Sequence, residues 1–321
     1  MEQTIDHLAS TSQACDDFPV GALKTVTFTT GSLSHPMVAA EVAGNAVRES
    51  KPPIVMIHGG FHTGQAFLKT ADGRPGWAAL FAQRGHRVVV PDWPAHGQSP
   101  GLKNIHQLNT QHIAESFGAL LRNVGPCVVM AHSAGGPVAW WLAENFPQHV
   151  LAILGIAPGP AANILPVLPD DPEAVLALRF DEQAGCPVYS KPGAAVTVDV
   201  HFIREFWANS PRFPLTHLSE YASTIVPESP RILNERFNIG GAGLVLKTPE
   251  VVRERPILIV TGELDRRHSK KIDGALANYL GADFMWLPDV GIVGNGHMLM
   301  IEDNSHEIAA LMMAWLQDQG L

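Results

Sequence analysis

The sequence predicts an α/β protein: a mostly parallel central sheet with helices on both faces and an inserted, largely helical cap. Three observations predict it. Short apolar runs alternate with helical patterns over most of the chain, the signature of a parallel sheet covered on both faces. Around Ser133 an apolar run passes through a very tight turn straight into a helix. Between two runs of this alternation lies a long segment, 158–255, too long for a single crossover and rich in proline at its start. The expected organisation is an N-terminal extension over 1–23, a core formed by 24–157 and 256–321, and a cap insertion over 158–255.

Each element has its own signal. Residues 1–23 are polar. Thr25–Thr29 alternates and Met37–Val42 is an apolar run, which together predict an antiparallel start to the sheet. Strands then follow at 53–57, 87–91, 127–131 and 150–156, with helices at 76–84, 109–123 and 136–145. The pattern returns with strand 256–261, helix 270–280, strand 283–287 and a last helix from Asn304 to Leu316. Helical stretches at Asp199–Ala208 and Leu218–Ile225 fall inside the insertion.

Composition bounds the function. Hydrophobic residues make up 46% of 321 and charged residues 17%, enough for a substantial core. A net charge of −9 without a basic cluster excludes nucleic acid as a partner. No run reaches the length of a membrane span. Cys15, Cys127 and Cys186 form no paired spacing, so no disulfide framework is expected, and Cys127 reads as core. The first residues, with Glu2, Asp6, Asp16 and Asp17, lack a basic n-region and an apolar h-region, which makes cytoplasmic residence the expectation.

Chemistry concentrates at three places. Cys127–Met130 leads into Ala131-His132-Ser133-Ala134-Gly135 and then a helix. Small residues two positions either side of the serine are what a sharp nucleophile elbow requires, with Ala131 where glycine is usual. The Ala134 N–H then points where an oxyanion forms, at the positive end of the following helix. The second place is Pro53–Ile57 followed by His58-Gly59-Gly60-Phe61-His62, a buried strand and a loop that lends a second oxyanion N–H, from Phe61 or Gly60. No phosphate-loop pattern follows that strand. The third is His297 in a glycine-flanked loop, the position of a general base. Between them, strand 256–261 ends in a loop that carries Glu263 and Asp265. The order Ser133, Asp265, His297 is Ser…Asp…His.

On these residues the chain resembles the α/β-hydrolase superfamily from about Lys24 to its end. Within it the chain is similar to a small group of bacterial esterases, through His58–Gly64, Ala71–Trp77 and Gly294–Met300. In that group the triad acid is a Glu after the sixth strand, in a Glu-Pro-Gly step. Here the step reads Ala157-Pro158-Gly159, so that carboxylate is missing. Asp265, after the seventh strand, stands at the usual superfamily position and is preferred to Glu263. The resemblance also implies a homodimer, and a structural role for Asp92.

The expected activity is a serine esterase acting through an acyl-enzyme on a small-molecule carboxylic ester or lactone, with no cofactor and no metal. Amide hydrolysis, C–C hydrolysis and cofactor-free haloperoxidase chemistry use the same triad, and a non-catalytic receptor uses the same fold. His62, Phe202, Phe206 and Trp207 are the candidates for lining the substrate pocket, and His132 is expected to pack on the far side of the elbow. Fifteen histidines invite a metal reading, but no H-E-x-x-H occurs, and His58 and His62 sit on a glycine-rich loop, not one helix face.

Overall fold

A computed structural model describes residues 23–44 and 51–321; the expected extension falls almost wholly outside them. Eight strands form one sheet: β1 Lys24–Gly31, β2 Pro36–Ala43, β3 Ile54–Ile57, β4 Val88–Pro91, β5 Cys127–His132, β6 Val150–Ile156, β7 Ile257–Thr261 and β8 Asp283–Trp286. Their spatial order is β1-β2-β4-β3-β5-β6-β7-β8. β2 pairs antiparallel with both β1 and β4, and every later pair is parallel.

Helices α1 Gln65–Leu68, α2 Trp77–Gln83, α3 Thr110–Val124 and α4 Gly136–Asn145 lie in the first half. Helices α5 Pro172–Leu178, α6 Val200–Phe206, α7 Leu218–Ala222, α8 Pro230–Arg236 and α9 Pro249–Arg253 lie between β6 and β7, with no strand of the sheet among them. Helices α10 Lys270–Leu280 and α11 Ser305–Asp318 complete the chain. Among the described residues no helix is long and apolar enough to cross a membrane.

β3, β5 and β7 are fully buried because both faces of the sheet are covered. Alternate residues therefore serve two separate cores. Ile54, Met56, Val128 and Met130 pack with Trp77, Phe81 and Met312 from α2 and α11. Val55, Ile57, Val129 and Ala131 pack with Phe117, Trp140 and Leu276 from α3, α4 and α10. This is why the strands read as continuous apolar runs and not as alternating ones.

Register positions the chemistry. Ile57 pairs with Ala131, so the loop after β3 and the turn after β5 emerge side by side. Val260 pairs with Ile156, which brings the end of β7 to the same edge. Ligands in parallel sheets bind outside these carboxyl ends.

Candidate active site

Ser133 sits at the apex between β5 and α4 with a φ of +50°, a conformation that L-residues rarely adopt. The turn is crowded from the neighbouring loop. A side chain on Gly59 would lie 2.9 Å from the Cβ of Ser133, so only glycine lets the β3 loop approach this closely.

Asp265 and His297 are joined by a hydrogen bond of 2.5 Å between Oδ2 and Nδ1, and both are buried. The other carboxylate oxygen of Asp265 accepts from the N–H of Arg267 (2.9 Å) and of His268 (3.2 Å). Burial alone raises a carboxyl pKa, but here the imidazoles of His297 and His268 and these hydrogen bonds win, and Asp265 is held well below the usual range. Burial lowers the pKa of His297 in spite of Asp265, so the ring is a neutral base at neutral pH. The exposed Glu263 turns away, accepting instead from the N–H of Gly294 (3.0 Å).

The loops of Asp265 and His297 meet at Gly262, where an added Cβ would lie 2.4 Å from the carbonyl of Gly296. Glu302, fully buried, fixes the histidine loop by accepting from the N–H of Gly296 (2.7 Å) and from Asn295 Nδ2 (2.6 Å). His132, expected to pack on the other side of the elbow, is buried there against the His297 ring, with ring centroids 4.6 Å apart. Its Nε2–H donates to the carbonyl of His297 at 3.2 Å, because the histidine loop passes over that side of the elbow.

The glycine loop after β3 is held peptide by peptide. The carbonyl of Gly59 accepts from His58 Nδ1 (2.8 Å), whose Nε2 in turn accepts from the N–H of Trp93 (3.0 Å). The carbonyl of Gly60 accepts from His62 Nδ1 (2.7 Å), and the N–H of Phe61 donates to Glu228 Oε2 (3.0 Å). Of the two expected donors, Phe61 is thus already engaged by a buried carboxylate. Among the described residues the Gly60 N–H has no acceptor, and it points opposite to the held Gly59 carbonyl across a planar peptide.

Glu228 is a residue that sequence reasoning missed. It is fully buried, also accepts from the N–H of Ser229 (2.7 Å), and pairs with His96 at 3.2 Å. Burial opposes a charge on His96, but Glu228 prevails and its pKa is raised. No motif surrounds Glu228; a lone acid between Pro227 and Ser229 carries no signal of what it will meet.

A narrow cavity of about 30 Å³ joins Gly60, His62, Ser133, Ala134 and His297 to Phe202, Trp207, Arg236 and Arg267. Ser133 Oγ makes no hydrogen bond to His297 among the described residues, although both line this space; such contacts often tighten only with substrate. Phe206 stands one layer back, against Phe202, with ring centroids 4.8 Å apart. His62 also borders a larger cavity of about 190 Å³ that does not reach Ser133, and its Nε2 is bonded to Tyr221 Oη (2.7 Å). Burial holds the pKa of His62 down at about 4, so it serves as a neutral prop. Asp92 accepts from the N–H groups of Gly64 and Gln98 (both 2.7 Å), as its expected structural role requires. Asp265, His268 and His297 could together reach one metal ion, but the Asp265 oxygens, His297 Nδ1 and both His268 ring nitrogens already have hydrogen-bond partners.

Comparison with known proteins agrees with the topology. A family model described as alpha/beta hydrolase fold matches residues 52–183. The chain is 24% identical over 329 residues to "Probable secreted lipase phiG" of Fungal sp. (strain ATCC 74256), covering 83% of this chain and 82% of that one. It is 32% identical over 111 residues to the mouse (Mus musculus) "sn-1-specific diacylglycerol lipase ABHD11", about a third of either chain (33% each). A thermophilic esterase from Thermogutta terrifontis superposes with a TM-score of 0.59 at 16% identity, over 92% of this chain and 98% of that one. With the sheet order and the strand–turn–helix step at Ser133, these likenesses show that the chain has the α/β-hydrolase fold, and esterases are among the proteins it resembles.

Proposed function

We propose that the protein is a serine hydrolase of carboxylic esters working through a Ser133–His297–Asp265 triad. The observation that carries this reading is the strained Ser133 opening on the same cavity as His297, whose Nδ1 is fixed by an ionised Asp265. His297 Nε2 takes the hydroxyl proton as Ser133 Oγ attacks the ester carbonyl. The tetrahedral oxyanion is held by the N–H groups of Ala134 and Gly60, a contribution of roughly 3–4 kcal/mol per donor. Collapse of the intermediate breaks the C–O bond, and His297 returns the proton to the departing alkoxide. Water then repeats the sequence on the acyl-enzyme, releasing the acid and restoring Ser133.

Segment 158–255 reads as a cap in this scheme, since Phe202, Trp207, Leu233 and Arg236 from it close the cavity over the nucleophile. That the relatives are called lipases and an esterase supports an ester as the bond broken. Hydrolysis of 4-nitrophenyl esters of graded acyl length tests the reading. Wild type should turn over, with a preference for short chains set by the small cavity. Ser133→Ala should lose at least about 10³-fold in kcat. A wild-type protein inert towards the whole series, or a fully active Ser133→Ala, would sink it.

A further inference from the structure

The cavity at Ser133 is lined by two guanidiniums that no carboxylate among the described residues meets in an ion pair. Arg236, at the end of α8, and Arg267, two residues past Asp265, line it together with Ser133 and His297. The Arg267 guanidinium lies against Phe206 and Phe202, 4.5 and 5.2 Å from the ring centroids, and that of Arg236 lies 4.8 Å from Phe237. Nε and Nη2 of Arg267 are shielded from solvent and have no hydrogen-bond partner among the described residues. Arg236 donates from Nη2 to His268 Nε2 (2.9 Å), which is no counter-ion, because the Nδ1–H of that ring is given to Asp273 (3.0 Å).

The carboxylates whose charges reach these arginines hydrogen-bond or pair elsewhere. Asp265 holds His297, Asp273 holds His268 and the hydroxyl of Thr261, and Glu205 pairs with Arg266. Burial, followed by repulsion from Arg236, keeps the pKa of Arg267 down at about 9. Two guanidiniums in an aromatic collar, one with buried N–H donors left unpaired and neither in an ion pair, are costly, and a purely structural role would be better served by Met or Leu. Arginine is the residue that recognises planar anions through paired N–H donors.

We propose that the ester substrate carries a second, free carboxylate, bound by Arg267 and Arg236 while its ester carbonyl faces Ser133. The proposal rests on the ester-hydrolase reading above and names its substrate class, a short half-ester of a dicarboxylic acid. A monoanion suits the site better than a phosphate dianion, because the ionised Asp265 lies in the field of both arginines.

Two measurements test it. In kinetics, mono(4-nitrophenyl) glutarate is compared with the neutral 4-nitrophenyl pentanoate. Wild type should favour the charged ester at least tenfold in kcat/KM, chiefly through KM. Arg267→Met should collapse that ratio at least tenfold, with Arg267→Lys intermediate because it keeps the charge and loses the fork. Equal kcat/KM for the two esters in wild type would overturn the proposal and leave the esterase reading intact. In binding, calorimetry on Ser133→Ala compares monomethyl glutarate with dimethyl glutarate. At least tenfold tighter binding of the monoanion, abolished by adding Arg267→Met, supports the subsite even if wild type hydrolyses neither ester. No difference between the two probes overturns it. If Arg267→Met fails to fold, Arg236→Met and Arg267→Lys provide the same comparison.

Discussion

At His297 two opposing influences set the pH response. Burial lowers the pKa and Asp265 raises it, with burial prevailing. The base is therefore expected to stay neutral on descending through 6.5, and the acid limb of kcat/KM should have its midpoint below that value. Asp265→Asn removes the raising influence, so its limb should move to still lower pH while the rate falls by up to about 10⁴-fold. A pH–rate profile of both proteins checks this; a limb that moves upward in the variant contradicts it. Asp265 also links folding to pH. Its folded pKa is depressed, so its contribution to stability is present above the ordinary carboxylate value of about 3.9 and is lost as pH falls towards the folded one.

Glu228 has the opposite partner logic. It holds the Phe61 N–H and His96 at once, so Glu228→Ala leaves a buried donor and a buried imidazole unpaired. Unfolding in urea should show a loss of about 3–5 kcal/mol, and kcat should fall as the Gly60 loop loosens. Because the folded pKa of His96 is raised, its share of stability is complete below its unfolded value and is lost as pH rises through the folded one. The positions of Ser133, His297 and Asp265 in loops at one edge of the sheet were legible because each stands in a short local pattern. Glu228, Arg236 and Arg267 were not, since their partners are far away in sequence and a lone charge looks like surface.

At the scale of elements, the stretch Ala71–Trp77 stood out by resemblance, yet its role came only with the fold. Arg74 donates from Nη2 to the carbonyl of Ile301 (2.7 Å) and from Nη1 to that of Glu302 (3.1 Å), and Trp77 Nε1 donates to that of Ser305 (2.9 Å). It is a clamp on the turn between His297 and α11. Losing Arg74 strands the carbonyl of Ile301 and takes one of two donors from that of Glu302, so Arg74→Ala should cost about 1–3 kcal/mol in chemical denaturation. Gly262→Ala should be worse for catalysis than for folding. A Cβ there collides with the carbonyl of Gly296 and displaces His297 from Asp265, and a misplacement of about 1 Å costs on the order of 10²-fold in rate. Strand positions were legible to within a residue or two because buried runs are unmistakable. Short helices such as α5, α8 and α9 were not, because each begins at a proline and spans seven residues or fewer, too few to establish a period.

For the whole molecule, the sheet is both scaffold and alignment device, and α4 links its stability to the site. Trp140 is fully buried in the core on one face, and its Nε1 donates to the carbonyl of Gly159 at 2.9 Å, beyond the end of β6. Trp140→Ala should therefore destabilise by about 3–5 kcal/mol and lower the melting temperature accordingly. An unchanged melting curve would mean that the packing described for this face is wrong.

By itself the sequence determined the fold class, the succession of strands, the tight turn at Ser133 and the glycine-flanked loop of His297, since each depends on apolar period or on residues a few positions apart. Only the tertiary structure decided that Glu228 takes the Phe61 N–H and leaves that of Gly60, that Glu263 is turned to the N–H of Gly294, and that two arginines from different segments share the cavity with the nucleophile. The physical reason is the same in each case. Period and turn chemistry act within one element, whereas a hydrogen bond or a charge in a pocket depends on which distant elements the sheet register brings together.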